Sequence, residues 1–247
     1  MISCLSGCAT LGSYNPATGR NEFIFISTDM EVSMGQNLHQ QLTRQFKLSQ
    51  DQAKIGRLNR IGRRLAAVSD RQDYEYRFYL VDKSELNAFT VPGGSIYFFA
   101  GLFDKLSTDD EVAAVLAHEI GHCAAKHTVK KFQASMSYNL IQAIALSQLG
   151  EASRGLSQQA SGAAMNLIFS AYSRGDEHQA DTLGVKYMYL AGYDLNGMIH
   201  TLQTLQKESK GEAGAPLILR SHPYIEDRVK AVQEEIKQAP AKYGTRE

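Results

Sequence analysis

The stretch VAAVLAHEIGHCAAKH, residues 112–127, sets three histidines and a glutamate among small apolar residues. Positions four apart on a helix lie on one face, so His118 and His122 point the same way, close enough for two imidazoles to share one metal ion. Glu119 sits one step round and can touch a water on that ion without ligating it. This is the His-Glu-x-x-His arrangement of zinc metallopeptidases. With 7 histidines and 14 glutamates in 247 residues, chance produces that spacing in about one such chain in a hundred. A structural pair of helix histidines is therefore the weaker reading.

A catalytic zinc needs a third protein ligand and keeps one position open. Downstream candidates are His127, Glu177, His178, Asp181, His200 and His222. Glu177 is favoured. It lies in SRGDEHQAD (173–181), just inside a helix that Ser173 caps, and Asp181 is one turn further on the same face. A carboxylate at 177 can ligate, while one at 181 can take the free N–H of a ligating histidine and fix its tautomer. Glu177 could instead be an acid stabilising a helix N-terminus. His222, in SHPYIEDR with Arg228 six residues on, reads as a loop histidine before Pro223, as an oxyanion donor, or as a reversible fourth zinc ligand. His127 and His178 read as solvated helix positions. Cys123, next to His122, faces away from the metal and reads as core.

These residues need elements to position them. Ser27-Thr28-Asp29 opens a helix to about Phe46, and a second, from about Asp51 to Val68, stripes Ile55, Leu58, Ile61 and Leu65 at helical spacing. YEYRFYLVD (74–82) and GGSIYFFAG (93–101) read as strands, with Val91-Pro92-Gly93-Gly94 as turn material. Thr108 with Glu111 forms a capping box opening the His-Glu-x-x-His helix, and Ser173 with Asp176 forms another. A helical pair, 129–149 and 156–172 with its break at Gly150, reads as packing surface, or alternatively as a lid or a docking surface. After Gly192, Asp194 caps a helix toward Ser209; GEAGAP (211–216) is loop; residues 225–237 form the last helix. The expected fold is α+β: a mostly helical, zincin-like metallopeptidase domain with a small sheet beside the active-site helix.

The bulk numbers narrow the partners. The 26 basic and 26 acidic side chains cancel, so no global field favours nucleic acid or anionic lipid. No run of 18 apolar residues suggests a membrane span. Leu5-Ser6-Gly7-Cys8 reads as a bacterial lipobox with Cys8 as the lipidation site, followed by a Gly/Pro/Asn/Ser-rich tether. Neither a basic nor a long apolar stretch precedes it. The division expected is a lipobox-like start and flexible tether over 1–29, one metallopeptidase domain over 30–240, and a tail over 241–247.

HEIGH, SRGDEHQAD and SHPYIEDR, in that order, together resemble the CAAX prenyl endopeptidase family of zinc metallopeptidases, which includes HtpX-like and Oma-like quality-control proteases. LNAFTVPGGSIYFFAGLFD (86–104) is similar to the segment preceding that family's active helix, and the likeness runs from about residue 30 to 235. The resemblance implies one zinc ion on His118, His122 and Glu177, with Glu119 catalytic. It also implies that the sheet edge near Asn87 to Tyr97, with Asn87, Ala88, Phe89 and Gly94, binds substrate as an added strand. The chain shows neither the membrane helices nor the tetratricopeptide repeats of many relatives. It is most similar to stand-alone periplasmic lipoproteins of the LoiP and BepA type.

The expected function is zinc endopeptidase activity on unfolded or misfolded envelope proteins, with outer-membrane assembly components as further partners. The expected location is the periplasmic side of the bacterial outer membrane, with membrane contact only through a lipid anchor. The alternative is a chaperone-like or assembly-factor lipoprotein with a latent metal site. Glu119 separates the two, since a structural zinc has no use for it. A purely structural zinc fold fits poorly, because such sites favour Cys and His sets and only Cys123 lies in the body of the chain.

Overall fold

The computed structural model describes residues 12–148, 160–210 and 215–244. Cys8, the break at Gly150, Leu156 and most of GEAGAP lie outside the described residues. No helix among the described residues is long and apolar enough to cross a membrane.

The chain opens with a hairpin, β1 (Ser13–Asn15) and β2 (Arg20–Glu22), paired antiparallel. The hairpin lies within the segment 1–29 expected as a lipobox-like start and tether. The Asn15 side chain, almost wholly buried, donates to Glu22 and accepts from the Ala17 N–H, an Asx-type turn that closes the loop. Lys130 holds Glu22 at 2.8 Å, and Gln133 bonds the backbone of Phe23 and Phe25.

Helices α1 (Thr28–Gln45) and α2 (Gln52–Ala66) start where Ser27 and Asp51 cap them, as the sequence predicts. Leu58, Ile61 and Leu65 on α2 are fully buried, each worth about 1.5–3 kcal/mol relative to exposure. A three-stranded sheet follows: β3 (Arg77–Val81), β4 (Ala88–Val91) and β5 (Ser95–Phe99). The order is β3-β5-β4, with β5 parallel to β3 and antiparallel to β4. Only β4 of the 87–97 segment lies at an edge; Tyr97 belongs to the central strand, and Gly94 lies in the turn. Its φ of 78° and the Tyr74 ring, 2.5 Å from where a Cβ would sit, reserve that position for glycine.

A short α3 (Ala100–Lys105) leads to α4 (Asp109–Ala124), whose capping box between Thr108 and Glu111 is fully formed. Every residue of α4 from Val112 to Ala124 is buried. It is the central rod, contacted by α2 and the sheet as well as by the later helices. The chain then turns through Ala125 and Lys126, the latter left-handed at φ 58°, into α5 (His127–Gln148). α6 (Ala160–Phe169) packs beside β4, with Phe169 edge-on to Phe89 at 5.1 Å.

α7 (Arg174–Leu190) begins at the Ser173–Asp176 capping box and ends before Gly192 at φ 77°. It lies closely against α4. A Cβ on Gly121 would come 2.7 Å from the Ala180 carbonyl oxygen, and Gly184 faces the backbone of Ala117 and His118. α8 (Asn196–Ser209) follows, with Asp194 accepting from the Asn196 N–H. A single turn, α9 (Ile218–Ser221), delivers His222. The last helix, α10 (Ile225–Tyr243), outruns its expected end at residue 237 and carries Pro240 inside it. Past that proline, which lacks a backbone donor, Ala239 is buried and Tyr243 bonds Glu235 at 2.9 Å.

Candidate metal centre

Four side chains converge between α4, α7 and the α9–α10 turn: His118, His122, Glu177 and His222, all buried, with ligand atoms within 4.8 Å of one another. His118 Nε2 lies 3.0 Å from His122 Nε2 and 3.2 Å from His222 Nδ1. The Glu177 carboxylate oxygens lie 3.6 Å from His118 Nε2, 3.4 Å from His122 Nε2 and 3.0 Å from His222 Nδ1. Glu177 reaches the histidines because Gly121 and Gly184 let the α4 and α7 backbones nearly touch.

These distances test whether a metal fits. In a tetrahedron of donors about 2.0–2.1 Å from zinc, the donors stand about 3.3–3.4 Å apart. The separations of 3.0–3.6 Å bracket that spacing. Three imidazoles and a carboxylate pointing lone pairs at one spot are also a divalent-cation set chemically. The residues fit the group. His222 Nδ1 occupies the fourth corner, the position expected to stay open.

The surrounding shell orients the ligands. His118 Nδ1 is 2.8 Å from Asp181 Oδ1, so its proton points there and Nε2 keeps its lone pair. Asp181 in turn accepts two bonds from Arg228, from Nε and Nη2, both at 2.8 Å, and Arg228 Nη1 stands 2.8 Å from Glu177. Burial alone would raise both carboxyl pKa values. For Glu177 the His222 and Arg228 charges reverse this and hold it well below the usual carboxylate range; for Asp181, Arg228 and His118 outweigh burial and lower it. Burial pulls His122 well below the ordinary imidazole value, which keeps it neutral and able to ligate. Tyr172 stacks on the His122 ring at 3.9 Å and is fixed by Thr128 at 3.1 Å.

Glu119 is fully buried beside the cluster, and neither carboxylate oxygen has a hydrogen-bond partner. Its nearest basic atom is His222 Nε2, 3.4 Å away and itself unpartnered. Burial raises the Glu119 pKa, which suits a group that takes up and returns a proton. A cavity of about 30 Å³ beside it, lined by His118, Val115, Met198, Leu202 and Ile218 among others, is roomy enough for a water.

The sequence reading is corrected at one histidine. His127 is 2 % exposed, not solvated, with Nδ1 2.9 Å from His122 Nδ1 and Nε2 2.9 Å from Gln179 Oε1. Had α4 continued, His127 would lie about 140° round the helix from His122. The left-handed turn at Lys126 folds it back instead, and no glycine marks that turn in the sequence. Tyr172 and Gln179 are likewise contributions that sequence reasoning missed. His178 is half-buried on α7 and His200 is exposed on α8; neither joins the cluster. Cys123 is buried against Thr90 Oγ1 at 2.8 Å, away from the donors, as expected. Asn87, immediately before β4, is fully buried with both side-chain amide atoms unpartnered.

A buried helix-borne His-Glu-x-x-His pair completed by a glutamate from a second helix defines a metallopeptidase domain. The chain belongs to peptidase family M48, whose model matches residues 52–236. It is 29% identical over 224 residues to the beta-barrel assembly-enhancing protease of Yersinia pestis, covering 87% of this chain and 45% of that protein. It is 28% identical over 237 residues to the mitochondrial metalloendopeptidase OMA1 of Schizosaccharomyces pombe, covering 94% and 68%. Metalloprotease LoiP of Escherichia coli is 27% identical over 178 residues, covering 72% and 69%. The chain spans about half the length of the assembly-enhancing proteases it matches.

Proposed function

We propose that the chain is a zinc-dependent endopeptidase that cleaves unfolded or misfolded proteins of the bacterial cell envelope. His118, His122 and Glu177 hold the ion, and Glu119 moves the proton. The observation that carries this reading is the Glu119 carboxylate: wholly buried, without a hydrogen-bond partner, and next to a donor set that would be complete without it. When bound, the cation supplies Lewis acidity, moving the pKa of water from about 15.7 toward about 7 and polarising the scissile carbonyl. Glu119 accepts the proton released from that water on a carboxylate oxygen and returns it to the leaving amine nitrogen. Asp181 and Arg228 keep the His118 proton on Nδ1. The substrate backbone lies along β4 as a further strand, through Ala88 and Phe89, with the Gly94 turn at the end of that hairpin. Glu119→Gln tests the assignment: zinc content stays at that of the wild type while cleavage of an unfolded protein such as casein falls by about 10²–10⁴-fold. Full activity in a zinc-loaded Glu119→Gln variant would overturn it.

His222 supports a second element of the reading, that the enzyme rests in a latent form. Its Nδ1 stands where a free corner is needed, 3.0 Å from Glu177 Oε1. Movement of the α9–α10 turn would free that corner for water and substrate. His222→Ala then raises activity, whereas a role as oxyanion donor requires a fall. The related alternative is an assembly-factor or chaperone-like lipoprotein whose metal site stays latent; chelator-insensitive rescue of protein assembly would favour it. A lipid anchor at Cys8, a place on the periplasmic side of the outer membrane, and outer-membrane assembly components as partners complete the proposal. Similarity to the beta-barrel assembly-enhancing protease of Yersinia pestis supports that last partner class.

A further inference from the structure

His118 and His122 face the donor cluster through Nε2, so each must carry its proton on Nδ1 and hand it to an acceptor. For His118 the acceptor is the Asp181 carboxylate at 2.8 Å. For His122 it is another imidazole: His122 Nδ1 lies 2.9 Å from His127 Nδ1. Two ring nitrogens at that distance form a bond only if one carries the proton and the other a lone pair. The far end of the chain decides which. His127 Nε2 lies 2.9 Å from Gln179 Oε1 and 3.4 Å from Asp176 Oδ1, both of them acceptors. His127 therefore keeps its proton on Nε2 and turns a bare Nδ1 toward His122.

We propose that His127, oriented by Gln179 and Asp176, is the positioning residue for His122: it fixes the tautomer and tilt of that ligand, as Asp181 does for His118. The two ligands thus sit in unequal settings. One is backed by a carboxylate clamped by Arg228, the other by a neutral relay that runs from α5 back to α7. Because the turn through the left-handed Lys126 brings His127 within reach, the corner between α4 and α5 belongs to the metal-binding apparatus. The inference rests on the proposed metal site.

The test compares His127→Asn with His127→Leu in the full chain. Asparagine puts an amide oxygen where the imidazole Nδ1 stands, whereas leucine fills similar space with no acceptor. The readouts are the zinc dissociation constant, by competition with a chromophoric chelator, and the melting temperature of the metal-free protein. His127→Leu weakens zinc binding about 10–100-fold, and His127→Asn stays within about threefold of wild type. The cobalt(II)-loaded Asn variant keeps the visible d–d spectrum of the wild type, and the Leu variant does not. Unchanged affinity in the Leu variant would overturn the proposal, and so would equal losses in both, which would make His127 a matter of packing alone. If the Leu variant does not fold, Gln179→Leu combined with Asp176→Ala strips both acceptors from His127 Nε2. A severalfold loss of affinity there supports the relay, and none overturns it. Failure of the wild type to bind zinc at all would instead remove the metal site itself, and the relay with it.

Discussion

Replacing Arg228 by methionine keeps an unbranched apolar stem and removes the guanidinium with its charge. Arg228 is 4 % exposed and stands 2.8 Å from both oxygens of Asp181 and 2.8 Å from Glu177, themselves 2 % and 0 % exposed. The substitution leaves two buried carboxylates with only histidines for partners. Breaking a buried pair by removing one member costs about 3–5 kcal/mol, because the orphaned charge must be desolvated without compensation. In a chain of this size each kcal/mol lowers the melting temperature by about 2–4 °C, so metal-free Arg228→Met should melt about 6–20 °C below wild type. The assay is thermal unfolding in chelator, followed by circular dichroism. A second substitution sharpens it. Asp181→Asn removes one orphaned charge while keeping an acceptor for His118 Nδ1, so the double variant should be more stable than Arg228→Met alone, with a coupling of about 0.5–3 kcal/mol. A melting point within about 3 °C of wild type for Arg228→Met, or a double variant less stable than the single losses add up to, would refute the reasoning that this guanidinium neutralises the interior.

Other expectations follow from the same geometry. Gly121→Ala drives a methyl to 2.7 Å from the Ala180 carbonyl, which costs about 1–3 kcal/mol by overpacking and weakens zinc binding as α7 is pushed from α4; a melting point and zinc affinity both unchanged would contradict the close helix contact. Asp109 bonds Arg57 at 2.7 Å and Arg60 at 2.6 Å; partial burial would raise its pKa, but the two arginines win and hold it below the ordinary 3.8. A carboxyl whose folded pKa is depressed stabilises above the unfolded pKa and loses that contribution as pH falls through the folded value. Metal-free wild type should therefore lose stability more steeply below about pH 4 than Asp109→Asn, by up to about 1 kcal/mol for so exposed a cluster; parallel acid limbs in denaturant titrations would count against it.

Much of this arrangement was legible because it rests on local chemistry. The two capping boxes, at Thr108–Glu111 and Ser173–Asp176, fix where α4 and α7 begin, and with the starts fixed the positions of His118, His122, Glu177 and Asp181 follow from the helical period. What escaped depends on the chain reversing direction without a sequence marker. Lys126 adopts a left-handed conformation normally left to glycine, so His127 read as one more exposed helix residue. Tyr172 precedes α7 and is held against His122 by contacts remote in sequence: its backbone N–H is tied to Ser221 at 2.9 Å, 49 residues on, and its hydroxyl to Thr128. β4 is short, follows no alternating pattern and is buried on both faces, so it emerged only through resemblance. The hairpin of residues 13–22 hid in turn-rich composition that reads equally well as a tether.

The central claim is that one divalent ion sits among His118, His122 and Glu177. A crystal structure of the zinc-loaded protein with anomalous data at the zinc edge addresses it directly. The account predicts a single strong peak about 2.0–2.2 Å from both Nε2 atoms and a Glu177 oxygen, with His222 Nδ1 or solvent at the fourth corner. A peak elsewhere, or none there at full zinc loading, would contradict it.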